Sequence, residues 1–211
     1  MRLIDHLCPR HADAALTRWP IAGNLGDLFD VCDSCFDIAA RLHPEGNYVI
    51  RVLPDLDKRT YEYSDTIHES AHAVLGMLAG MTLNFAHIEP RTDGVRELGS
   101  YVNWADYRTP VDQWAAMCWA GQRAQMRWLL AEGLGTYANR IDVANMGWND
   151  TKMVLESATK HGLPSDIGWD LCGQLLDEHW STIERVADAL LTVGRLSGDE
   201  IAAIAGLEVP A

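Results

Sequence analysis

The stretch His68-Glu69-Ser70-Ala71-His72-Ala73-Val74-Leu75-Gly76-Met77-Leu78-Ala79-Gly80 decides how this chain is read. Ile67, Ala71, Val74, Leu75 and Leu78 recur at helix spacing, which predicts a helix over 64–78 with Gly80 as its stop. Its first five residues spell HExxH. Residues four apart share one face of a helix, so both imidazoles can reach a single cation. Zn²⁺ takes imidazole nitrogen at about 2.0–2.1 Å, and a catalytic zinc keeps one position open for water. Glu69 stands where such sites carry the general base for that water. The neighbours are apolar, and burying three polar groups among them without partners would be costly. The reaction expected is peptide-bond hydrolysis by zinc-activated water.

Outward from that helix the chain reads as mostly helical. Residues 85–89 and 98–103 are short strand candidates, joined through Pro90 and Gly94. Thr109-Pro110-Val111-Asp112 opens a helix, with Thr109 as N-cap and Pro110 in the first position, running towards Glu132. Another helix opens at Asn149-Asp150 and closes at His161-Gly162. The longest spans 165–193, with Trp169, Cys172, Leu176, Trp180, Ile183, Ala187 and Leu190 as its buried stripe and Gly194 as its end. Ser197 and Glu200 form a capping box for a last short helix. Upstream, 48–53 reads as a strand and 54–58 as a loop. The fold class expected is mainly α with a small β-sheet, α+β.

The helix resembles the "HEAGHA" helix of the peptidase domain of the FtsH family of zinc metalloproteases. The likeness continues in order. Ile88-Glu89-Pro90-Arg91 is similar to the family's "I-x-P-R-G", and Leu98-Gly99-Ser100-Tyr101 to its "LGY" strand. Trp104-Ala105-Asp106-Tyr107 is similar to its acidic-aromatic turn. Ala120-Gly121-Gln122-Arg123-Ala124-Gln125 looks like its "GGRAAE", and Asn149-Asp150 resembles its "ND". The segment from Leu175 to Ile201 is similar to its last helix pair. Coverage runs from about Asp65 to Ile204. The departures are small: Ser70 for Ala, Ala71 for Gly, and Gln125 for Glu, so no charged supporting role is expected at 125. No Gly-x-x-x-x-Gly-Lys-[Ser/Thr] occurs, so the expectation is a peptidase domain without its ATPase module or membrane anchor.

A catalytic zinc needs a third protein ligand. Spacing leaves His87, His161, His179, Asp142, Asp150 and Glu156 as candidates. The resemblance implies Asp150, which opens a helix and projects its carboxylate from a fixed backbone. The expected catalytic set is Glu69 as base with His68, His72 and Asp150 on zinc.

The segment before residue 47 reads separately. Cys8-Pro9-Arg10-His11 and Cys32-Asp33-Ser34-Cys35 form a CxxH…CxxC pair separated by 20 residues. Cys8, His11, Cys32 and Cys35 can close a tetrahedral structural zinc, with a helix after Cys35 packing over it. The expectation is therefore two zincs per chain, in a zinc-finger-like module over 1–46 and a metallopeptidase domain over 47–211. Composition limits the partners. Apolar residues make up 48% of the 211, enough for a core, and Lys+Arg 17 against Asp+Glu 30 gives a net charge of −13, which repels phosphate backbones. Nucleic acid is disfavoured, and peptides or unfolded proteins are the expected substrates, without ATP or a membrane. The five cysteines are an odd number, a poor disulfide framework, and residues 1–5 lack a secretory apolar region, so a cytoplasmic setting is expected. The alternative is an inactive peptidase-like adaptor acting through the finger; such a binder has no use for Glu69.

Overall fold

The computed structural model describes residues 2–6, 16–20, 28–32, 48–52, 56–88 and 100–207, the first four segments by their backbone. The chain divides into two units, Met1–Asp55 with Gly135–Asp142, and Leu56–Leu134 with Val143–Ala211. In the first, β1 (Arg2–His6) runs parallel to β4 (Tyr48–Val52), and β2 (Leu16–Pro20) pairs antiparallel with β3 (Leu28–Cys32). The strand expected at 48–53 is β4. Its partner is the first strand of the chain, so it clusters with the N-terminal segment, and the unit boundary falls after Asp55. Cys32 ends β3, while Cys8, His11, Cys35 and the helix expected after them lie outside the described residues.

The second unit is mostly helix with a small antiparallel sheet, the α+β class that the sequence predicts. Its centre is α1 (Lys58–Leu78), buried along most of its length and packed against α2 (Val111–Ala131), α5 (Trp169–Val193) and the sheet. α1 begins about two turns before the expected start because Asp57 caps it: Asp57 Oδ1 accepts from Thr60 N at 3.0 Å. It ends at Gly80, whose φ of +82° is the left-handed conformation glycine adopts freely. α2 starts one residue later than expected. Thr109 does not cap it; its Oγ1 donates instead to the Ala79 carbonyl, 2.7 Å away at the end of α1.

The sheet order is β6-β5-β7, with β5 (Thr82–His87) between β6 (Tyr101–Asp106) and β7 (Arg195–Ser197). β7 and α3 (Tyr137–Met146) are elements the sequence reading lacks. α4 (Trp148–His161) closes at Gly162, and α6 (Gly198–Ala205) carries the Ser197/Glu200 capping box, both as expected. On α5, Cys172, Leu176, Ile183, Ala187 and Leu190 form the buried stripe. Trp169 departs from it: it is 42% exposed, with its ring edge-on to Trp119 and under the Arg123 guanidinium. Among the described residues, no helix is long and apolar enough to cross a membrane.

Candidate metal centre

α1 presents His68 and His72 to α2, each only 4% exposed, so neither ring is a surface group that meets ions by chance. α2 fixes both rings by their Nδ1 atoms. His72 Nδ1 donates to the Met117 carbonyl at 2.8 Å, and His68 Nδ1 donates to Gln125 Oε1 at 3.1 Å. The Gln125 amide is held in turn, because its Nε2 donates to Ser64 Oγ at 2.8 Å. With both Nδ1 atoms acting as donors, the lone pairs of both rings sit on Nε2. Those Nε2 atoms face each other at 3.1 Å. Two lone pairs that close attract only through a proton or a cation between them.

α4 brings the third group. Asp150, in its first turn, places Oδ2 at 3.4 Å from His72 Nε2 and 3.6 Å from His68 Nε2. One ligand atom from each of the three residues lies within 4.8 Å of the others, the group of described residues able to hold a metal ion. Electrostatics favour the charged pair. Burial pulls the His72 imidazole towards neutrality, but the Asp150 carboxylate outweighs it and raises His72 above its ordinary value. Burial also pushes Asp150 up, and the two imidazoles outweigh it, holding the carboxyl well below the usual range. A divalent cation bound here would take the place of the proton on the His72 imidazole.

Gly121 supplies the test of fit. A Cβ at that position would overlap Nε2 of both histidines and Cδ2 of His68. The helix therefore lacks a side chain at the point where the two nitrogens converge. Two neutral imidazoles and one carboxylate, backed by fixed acceptors, are a donor set that Zn²⁺ accepts.

Glu69 lies beside the triad, 5% exposed. Burial raises its carboxyl most, the Asp150 charge adds to that and His68 opposes it, leaving it at about 7, where it can take up or release a proton near neutrality. A cleft of about 750 Å³ opens over these groups. Its lining includes Tyr101, Val102 and Trp104 of β6 and Asn149, Asp150 and Met153 of α4. Trp114 and Met117 of α2 add apolar lining, and no lysine or arginine is among the described lining residues. Trp104 is seated over Gly76, where a Cβ would meet its ring.

The other candidates for third ligand stand elsewhere. Glu156 is exposed and lies 3.7 Å from Lys152; His161 ends α4 and is exposed. His179 is 3.9 Å from Glu178 on α5, and His87 packs edge-on to Tyr101 on the sheet. Asp142 clusters with the first unit and is not one of the three. Sequence reasoning missed Gln125 as a partner of His68, the Met117 carbonyl and the space at Gly121. The available signal was their spacing of four along α2. No family model matches the chain, and no protein of curated function matches it.

Proposed function

We propose that the chain is a zinc-dependent, ATP-independent metalloendopeptidase of the kind its FtsH-like motifs imply, acting on peptides or unfolded segments in the cytoplasm. The observation that carries this reading is the convergence of His68 Nε2, His72 Nε2 and the Asp150 carboxylate beside buried Glu69. A bound zinc supplies Lewis acidity and lowers the pKa of a water from about 15.7 to about 7. His68, His72 and Asp150 would hold it. Glu69 does the proton work: its carboxylate accepts the proton of the hydrolytic water and returns it to the leaving amine. β6 has β5 on one side only among the described residues, so an extended substrate can add along its other edge by main-chain hydrogen bonds. The Cys8, His11, Cys32 and Cys35 set would hold a second, structural zinc.

The test is casein or peptide digestion by metal-loaded protein, with Glu69→Gln beside it. Cleavage that Glu69→Gln reduces by at least ~10²-fold, while zinc content stays the same, supports the proposal. Full zinc occupancy with no cleavage by either protein overturns it in favour of a binding module.

A further inference from the structure

The HExxH helix has a counterpart on α2. Met117, Gly121 and Gln125 are spaced by four, as His68 and His72 are, and the two helices match them antiparallel. Met117 meets His72, Gln125 meets His68, and Gly121 falls between, against both Nε2 atoms. Each of the three acts differently: one by a backbone carbonyl, one by the absence of a side chain, one by an amide. Only the amide can be changed in charge without changing its shape.

We propose that Gln125 is a positioning residue that sets how tightly His68 grips the metal, and that its neutral amide keeps that grip moderate. The inference rests on the metallopeptidase reading above. The physical argument concerns what accepts the Nδ1 proton. A carboxylate there polarises the imidazole towards the anion and makes Nε2 a stronger donor; an amide oxygen orients the ring and adds no charge. Gln125 is 1% exposed, so solvent does not dilute the difference. The site already sets the buried Glu69 carboxylate and the half-buried Asp150 carboxylate around the place a divalent cation would take. A third carboxylate would leave excess negative charge beside the reacting carbonyl. The amide is also locked the right way round. Ser64, one turn before His68 on α1, accepts from its Nε2, so α1 orients the group that orients its own histidine.

The experiment measures zinc affinity on the full chain by competition with a chromophoric chelator at one pH. A His72→Ala control gives the zinc that belongs to the N-terminal cysteines. Gln125→Leu should weaken the centre by about 10–100-fold, as loss of a supporting partner does. Gln125→Glu should bind zinc more tightly than wild type. Gly121→Ala should bind no zinc at this centre, because its methyl takes the space between the rings. If wild type shows no zinc beyond the His72→Ala control, the metallopeptidase reading falls, and this inference with it. If wild type binds zinc and Gln125→Glu binds equally or more weakly, this inference alone is overturned. Gln125→Glu nearly preserves shape, so it decides the matter even where Gln125→Leu does not fold.

Discussion

α1 and α2 are the same length, 21 residues each, and face each other across the candidate metal centre. α1 contributes the imidazoles and the carboxylate that a motif can name. α2 contributes a carbonyl oxygen, a gap and an amide. Both are needed for the geometry: without the acceptors on α2 the rings could rotate or carry their protons on the wrong nitrogen, and without Gly121 they could not converge. The difference shows that a site's ligands are written in side-chain types, whereas its supports are written in places where side chains are absent, neutral or bypassed by the backbone.

The most severe way to break the comparison is to remove the ligand that belongs to neither helix. Asp150→Ala should lower zinc affinity by well over the ~100-fold that marks the upper end for a supporting partner, and cleavage should vanish with the metal. Two imidazoles from one helix are a poor cage alone. Elemental analysis after dialysis, with a peptide-cleavage assay, checks it. Full zinc with normal turnover would mean Asp150 is only a first-turn acid at the N-terminus of α4.

A second effect is smaller and depends on pH. His72 is raised above its ordinary 6.5 by Asp150, after burial is outweighed. In the zinc-free protein the charged pair therefore stabilises fully below 6.5 and loses its contribution as pH climbs through the raised value. Asp150 is depressed, so it stays ionised throughout and loses its contribution only in strong acid. Zinc needs the neutral ring, so its affinity should run the other way, weak at about pH 6 and stronger towards about pH 8. Chelator competition at several pH values gives the slope, and a flat profile would show that no proton is displaced from His72.

Much of this molecule was legible before its coordinates. The helices α4 and α5 follow from periodicity and their closing glycines, although α5 starts at Trp169 and not at 165; α6 follows from its capping box, and HExxH marks its own helix. The unread parts share a physical cause. β7 is three residues long and exists because β5 lies beside it, a partner more than 100 residues away in the chain. α3 is short and its apolar residues, among them Ala138, Ile141, Val143 and Met146, are not confined to one face, so pattern gave no stripe to follow. Trp169 fits the stripe of α5 by spacing, but it sits in the first turn, where Trp119 and Arg123 hold its ring at the surface. Asp150 came from resemblance; its distance from the histidines is a tertiary fact. Gln125 read as the loss of a charge, and its hydrogen bond to His68 needed the helix pair to be seen.

The two helices each carry a glycine under close approach, and these sharpen the contrast. At Gly76 on α1 the space belongs to Trp104, a side chain of the protein itself. Gly76→Ala should therefore cost stability, about 1–3 kcal/mol from overpacking, less the gain in helix propensity. Its zinc affinity should stay near that of wild type, whereas Gly121→Ala should lose zinc. Denaturant unfolding in chelator reads the first effect. Equal stability of Gly76→Ala and wild type would mean that Trp104 yields freely, and the wall of the cleft with it.

The smallest expected effect lies inside the motif. Ser70 is fully buried on α1, and among the described residues its Oγ has no hydrogen-bond partner. The hydroxyl has left water without a replacement, in contrast to Gln125 on α2, whose amide is satisfied at both ends. A buried polar group in that condition costs about 1–3 kcal/mol, and alanine is also the better helix former. Ser70→Ala leaves a cavity no larger than one oxygen atom. The substitution should therefore stabilise the protein by up to about 1 kcal/mol, with zinc affinity and peptide cleavage unchanged. Thermal unfolding with and without chelator measures it. A fall in Tm would show that the hydroxyl is bonded in solution, and a fall in cleavage at constant zinc would move Ser70 from the packing of α1 into its chemistry.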